Sequence, residues 1–226
     1  MHTTSRLART AAILDARHAR RGLRPPLPAG YALAEIAGHR LRYRTAGDGE
    51  RLVILCTDPP VVLEQYDELL ALLAPHHRVV VFEAPGFGFS APAVDMDFSF
   101  AALNGAVEAF VEQLVDREGR GPATLAFPCV TAYAAVDVAR RRPDLVASLL
   151  LMQAPSWAAE LGWKRGRDKR GLLGTPGLGQ VAMATLRRRR APQWLDVAVG
   201  RRERLPAMTA AVDAAFAGGA SSSRVT

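Results

Sequence analysis

Four short, largely apolar runs constrain this chain more than any other feature: Leu52–Val53–Ile54–Leu55, Val79–Val80–Val81–Phe82, Thr124–Leu125–Ala126–Phe127 and Leu149–Leu150–Leu151–Met152. None of them alternates polar with apolar. An unbroken run of that length is what a strand buried on both faces requires. The segments between them carry helical periodicity, at residues 64–73, 100–115 and 130–142, the last stopping at Pro143. Within 100–115, the side chains of Leu103, Val107, Phe110, Val111 and Leu114 share one face. Short buried strands alternating with helices predict an α/β fold, a mostly parallel sheet with helices on both faces. Ahead of it, residues 31–46 alternate, through Leu33, Glu35 and Ala37 and then Arg40 to Arg44. This pattern predicts an antiparallel N-terminal hairpin turning at Gly38–His39 on the edge of that sheet.

Sheets of this kind bind ligands at the carboxyl ends of their strands. The residues after Leu55, Phe82, Phe127 and Met152 are therefore the ones to read for chemistry. Phe82 is followed by Glu83–Ala84–Pro85–Gly86–Phe87–Gly88–Phe89–Ser90. Two glycines around Phe87 permit a tight loop that brings backbone close to a pocket. In this position the loop resembles the D-x-P-G-x-G-x-S loop that follows the fourth strand of the α/β-hydrolase fold superfamily. The hairpin with Ala46–Gly47–Asp48–Gly49 resembles that superfamily's first two strands. The stretch from Leu52 to Pro60 lies where it has a strand and His-Gly-x-Pro-Gly. From Thr124 to Pro143 it has a strand, the G-x-S-x-G nucleophile elbow, a helix and an R-x-P-x-x-V turn, which Arg141, Pro143 and Val146 fit. The resemblance covers about residues 31–157.

The resemblance implies a nucleophile at Cys129, within Phe127–Pro128–Cys129–Val130–Thr131, with cysteine in place of serine as in dienelactone hydrolases. Thiolate is a strong nucleophile, and a helix N-terminus lowers a thiol's pKa. The N–H groups of Val130 and Asp58 would hold the oxyanion. Cys56, Thr57, Phe87 and Trp157 would line the substrate pocket. Several positions depart from the family pattern. Phe127 and Thr131 stand where it has glycines, and Cys56–Thr57 replaces His-Gly. The Asp58 carboxylate opposes negative charge at the oxyanion position unless it is turned away. Gln153 stands where an acid sometimes follows the sixth strand. The histidines are His2, His18, His39, His76 and His77, all upstream of Cys129, and His76–His77 fall at the amino end of a strand. No buried strand is expected after Met152, so the fold's last strands are read as missing and the chain as C-terminally truncated. Two readings of Cys129 stand beside the nucleophile: a small buried apolar residue, and a redox-sensitive pair with Cys56, because the third and fifth strands of this fold are neighbours.

Four regions follow. Residues 1–28 are a basic helical arm, with Leu7, Ala11 and Leu14 on one face, ended by Pro25, Pro26 and Pro28. Residues 29–155 are the α/β core. Residues 156–216 form a helical cap-like region, with a short helix from Gln180 to Arg190, another restarting at Pro192–Gln193–Trp194, and a last one from Leu205 to Phe216. Residues 217–226 form a flexible tail. The formal charge of +7 comes mostly from arginine. No aromatic or glycine pattern of RNA-binding modules accompanies it, so it reads as solvation rather than nucleic-acid binding. There is no apolar run long enough for a membrane span and no secretory signal. Two cysteines in a chain of this length point to a reducing, cytoplasmic setting. No metal or cofactor is expected, and Gly171 to Gly179 lacks the Lys-Ser/Thr of a phosphate loop. The expected partners are a small-molecule substrate or ligand and a second copy of the chain paired through the open sheet edge. The function expected is hydrolysis of small ester, thioester or related acyl substrates with incomplete machinery. The alternative is a catalytically inactive domain that binds a ligand or a protein.

Overall fold

The computed structural model describes residues 6–168 and 202–219, with isolated positions between them. The strands are β1 (Tyr31–Ile36), β2 (His39–Ala46), β3 (Leu52–Cys56), β4 (Arg78–Phe82), β5 (Ala123–Pro128) and β6 (Val146–Met152). They form one mixed sheet in the order β1-β2-β4-β3-β5-β6. β2 runs antiparallel to both β1 and β4, and β4, β3, β5 and β6 are mutually parallel. The chain moves from β3 to β4 on one side and returns to place β5 on the other. The sheet therefore reverses its winding between β3 and β5, and a crevice opens beyond their carboxyl ends.

The helices are α1 (Arg6–Gly22), α2 (Asp67–Leu73), α3 (Phe100–Glu118), α4 (Ala132–Arg141), α5 (Trp157–Arg167) and α6 (Leu205–Ala217). α2 and α4 each follow a short 3-10 turn, Leu63–Tyr66 and Cys129–Thr131. Ser99 caps α3 by accepting the Ala102 N–H, and Gly119 ends it in the left-handed conformation at φ 60°. One face of the sheet packs Ile54, Val80, Phe82, Leu125 and Phe127 against Val107, Phe110, Val111 and Leu114 of α3 and Val138 of α4. The other face packs Leu55, Val79 and Val81 against Leu63 and Leu70.

The apolar run of β6 suits a strand buried on both faces, but β6 lies at the open sheet edge that the sequence also implies, with Leu149, Leu150 and Leu151 exposed by 37%, 54% and 41%. Among the described residues no strand pairs with its far side, so its apolar run finds no second neighbour. In α1 the expected apolar face does not make the contact: Leu7 and Leu14 are exposed, and Ala16 and Ala19 are buried. Ala19 and Leu23 pack on Met208, Val212, Ala215 and Phe216 of α6 and on Val61 and Phe89. Small residues win there because the two helix ends nearly touch, and a side chain at Gly22 would lie 2.4 Å from the Gly218 carbonyl oxygen. Of the reading for 180–190 only Val181, Ala182, Thr185 and Leu186 are described, and they are helical; Trp194 and residues 220–226 fall outside the described residues. No described helix is long and apolar enough to cross a membrane. Part of the arginine charge is neutralised locally: Arg141 pairs with Glu108 and Asp137, and Arg142 with Glu112 and Asp144.

Candidate functional site

β5 ends at Pro128, and the chain turns into α4 through Cys129, whose φ is +48°. A non-glycine residue in the left-handed region is strained by about 1–2 kcal/mol, and such strain concentrates where function needs a particular geometry. The bulky neighbours at 127 and 131 are accommodated differently from glycines. Phe127 is fully buried and meets the Phe82 ring edge-to-face at 5.8 Å. Thr131 folds its hydroxyl back to donate to the Pro128 carbonyl at 2.6 Å, which fastens the turn.

β3 lies beside β5 in parallel register, Leu55 opposite Ala126, so the residues after Cys56 and after Pro128 meet in the crevice. The Asp58 carboxyl and the Cys129 thiol lie close enough to shift each other's titration, and the Val130 N–H favours the thiolate. Burial raises the Asp58 carboxyl to about 7, against the Cys129 thiol, which lowers it; the charge of Glu160 raises it further. The thiol goes up to about 11, first through burial and then through the facing Asp58 carboxylate. The expected lowering by the helix terminus is overridden, because one N–H bond is weaker than burial plus a nearby carboxylate. The second proposed oxyanion donor, the Asp58 N–H, is directed to the Tyr66 hydroxyl at 3.4 Å. Asp58 Oδ1 and the Thr57 hydroxyl are buried without a hydrogen-bond partner among the described residues.

The remaining residues expected at a pocket are placed as follows. Cys56 and Thr57 have no exposed surface, and Phe87 is buried. Each packs into the core beside the crevice rather than onto its open side. Trp157 is 58% exposed. Cys56 turns its thiol to the Thr57 carbonyl at 3.6 Å, and both cysteines are free, so the structure holds no Cys56–Cys129 disulfide. His39 accepts the Ala93 N–H through Nδ1 at 3.0 Å, and burial pulls its pKa down. His76 and His77 lie in the turn before β4, at the amino end of the sheet, and His18 lies on α1. Among the described residues no histidine is hydrogen-bonded to Cys129. Gln153, in the position of the missing acid, sits at φ +52° just past β6.

Two features of the site were not anticipated. The first is a buried clamp under the crevice. Arg42 and Glu83 have no exposed surface and pair at 3.3 Å. Arg42 also reaches Glu64 and donates through Nε to the Pro26 carbonyl at 2.9 Å, with the Tyr31 ring 4.6 Å away. Glu83 accepts the Leu63 N–H at 3.1 Å and the Phe89 N–H at 2.7 Å. One carboxylate thus ties the loop after β3, which carries Asp58, to the loop after β4. Gly88 makes this possible: its φ is +51°, and a Cβ there would fall 2.3 Å from the Glu83 carboxyl carbon. The second feature is the start of α5. Ser156 caps it by accepting the Ala159 N–H, Trp157 meets the Tyr133 ring at 5.5 Å, and the Tyr133 hydroxyl donates to the Pro155 carbonyl at 2.9 Å. Glu160, three residues beyond Trp157, acts electrostatically on Asp58, Cys129 and Tyr133 alike. The i, i+3 spacing of Trp157 and Glu160 was the available sequence signal. Among the described residues no group of three or more His, Cys, Asp or Glu side chains is arranged to hold a metal ion.

No protein-family model matches the sequence, and no curated protein is significantly similar to it. Solved structures are similar in fold. The epoxide hydrolase VrEH1 from Vigna radiata superposes with a TM-score of 0.65 at 14% identity, over 86% of this chain and 70% of that one. The haloalkane dehalogenase DbeA from Bradyrhizobium elkani USDA94 gives 0.62 at 19% identity, over 86% and 67%. A serine hydrolase involved in carbazole degradation, CarC, gives 0.51 at 20% identity, over 60% and 55%. The chain has the α/β-hydrolase fold, with its antiparallel N-terminal hairpin and parallel core. Its structural neighbours are hydrolases, and it spans about two thirds of the length of the first two of these.

Proposed function

We propose that this chain is a cysteine-dependent member of the hydrolase fold that cleaves small activated acyl compounds, esters or thioesters, at Cys129. The observation that carries the reading is the strained turn at Cys129, φ +48°, at the point where the sheet reverses its winding, with the Asp58 carboxyl close enough to act on its thiol. In this reading Asp58 takes the place of the absent histidine. It accepts the thiol proton as the sulfur attacks the acyl carbon, and then returns that proton to the departing alkoxide or thiolate. The thioester left on Cys129 is hydrolysed by a water that gives its proton to the same carboxylate as it attacks; the S–C bond breaks, and the carboxyl returns that proton to the released Cys129 thiolate. The Val130 N–H faces the developing oxyanion. Because the thiol rests protonated, turnover is expected to be slow and to rise with pH.

A second reading, an inactive fold member that binds a ligand, is favoured by the raised thiol and, among the described residues, the absence of a histidine bonded to it. Hydrolysis of p-nitrophenyl acetate by wild type and Cys129→Ala separates the two. Acetylation of Cys129, seen by mass spectrometry, and loss of hydrolysis in Cys129→Ala support the enzyme. Equal rates in both proteins, with no acetyl group on the thiol, leave only the binding reading.

A further inference from the structure

The crevice around Cys129 is built from aromatic rings and carboxylates, whereas the chain as a whole carries +7. Tyr133 stands one helical turn past Cys129, and Trp157 stacks edge-to-face on it yet stays 58% exposed. An edge-to-face pair keeps ring faces open to a third group. Glu160 lies one turn further along α5, on the side that bears Trp157, and its charge reaches Asp58, Cys129 and Tyr133. Among the described residues Glu160 makes no ion pair. Asp58 Oδ1, beside the crevice, also lacks a hydrogen-bond partner among the described residues. Lys164, a turn beyond Glu160 on α5, is half-buried and acted on by Glu160.

We propose that this site takes an organic cation: an acyl compound with a quaternary or alkylammonium head, seated between the Tyr133–Trp157 rings and the carboxylates of Asp58 and Glu160. The inference rests on the reading of Cys129 as the centre of a small-molecule site and names the substrate class for it. Aromatic faces attract such a head through their quadrupole, and carboxylates add charge attraction without needing a directional bond. An anionic acyl compound meets two carboxylates and is repelled.

The test uses Cys129 as its own probe. The protein is reacted with cationic trimethylammonioethyl methanethiosulfonate and with anionic sulfonatoethyl methanethiosulfonate, and the modification of Cys129 is followed by mass spectrometry. The ratio of the two rates is divided by the same ratio for free mercaptoethanol, which cancels intrinsic reactivity. Wild type is expected to favour the cation by about tenfold, despite the chain's net positive charge. Glu160→Gln and Trp157→Ala should each reduce that ratio severalfold. A normalised ratio at or below one, or one that neither substitution moves, overturns the proposal. Turnover plays no part in this readout. Cation preference without p-nitrophenyl acetate hydrolysis therefore sinks the hydrolase reading alone, and hydrolysis without preference sinks the cation site alone.

Discussion

Replacing Asp58 with Asn tests the electrostatics of the crevice directly. After burial, the Asp58 carboxylate is the largest influence raising the thiol. Two unit charges about 4 Å apart interact by about 1 kcal/mol in water and about 4 kcal/mol at the dielectric of a protein surface. Cys129 is only half-buried, so solvent screening favours the lower part of that range. Removing the charge should lower the thiol's pKa by about 1 to 2, since 1.36 kcal/mol corresponds to a shift of one. The sign follows from the charged form: thiolate beside carboxylate is disfavoured, and thiolate beside a neutral amide is not. The assay is the rate of iodoacetamide alkylation against pH. Wild type should show a limb rising toward about 11. Asp58→Asn should shift that limb toward neutral pH, so alkylation at pH 8 rises by about 10- to 100-fold. Cys56 stays silent because it has no exposed surface. The isosteric change leaves the Asp58 N–H and its contact with Tyr66 in place, and circular dichroism checks the fold. An unchanged or right-shifted limb in the variant would refute the argument.

Three further predictions concern the clamp. Arg42→Met leaves Glu83 buried without its cation and should destabilise the fold by about 3–5 kcal/mol, read from urea midpoints; Arg42→Met with Glu83→Gln removes both charges and should recover much of that loss. A single variant within about 1 kcal/mol of wild type would show that the pair is not desolvated as drawn. Burial raises the Glu83 carboxyl to about 7, so its stabilising share is present below the unfolded value near 4.5 and is lost as pH rises through 7. Without Arg42, which pulls that value down, the loss should extend to higher pH, seen as a steeper decline of melting temperature between pH 5 and 8. Gly88→Ala should cost about 2–3 kcal/mol, from the left-handed backbone and the clash with a carboxylate held by its N–H bonds. A melting temperature equal to wild type would show that the Glu83 side chain moves aside freely.

The parallel core was legible because its strands announce themselves without long-range information. Leu52 to Leu55 and Val79 to Phe82 have no polar residue to place on a wet face, and both are buried in the sheet. The turn at Cys129 was legible through the resemblance of Thr124 to Pro143 to a strand, elbow and helix, and the chain does leave β5 there. What sequence did not disclose depends on partners distant in the chain. The apolar run of β6 reads like the others, yet a strand is buried only if something pairs beyond it. Arg42 reads as one of three arginines in an alternating strand, and only the fold brings Glu64 and Glu83 to it. Asp58 reads as an obstacle to an oxyanion, and only the β3–β5 register turns its carboxyl onto a thiol.

That register bears on why cysteine stands where serine is usual. A carboxyl raised to about 7 is about as basic as an ordinary imidazole but lacks the acid that orients a catalytic histidine and stabilises its charged form, so it can relieve only a nucleophile whose proton is not held too tightly. An aliphatic hydroxyl in the same desolvated corner, facing the same carboxylate, would hold its proton far more firmly than the thiol does. Serine at position 129 would therefore need a histidine. Cysteine narrows the difference between nucleophile and base enough for Asp58 to serve, and the burial that raises the thiol also raises the base toward it. On this reasoning Cys129→Ser should abolish p-nitrophenyl acetate hydrolysis as fully as Cys129→Ala, although the hydroxyl keeps the elbow geometry. A serine variant that retains wild-type turnover would show that the proton goes to some group other than Asp58.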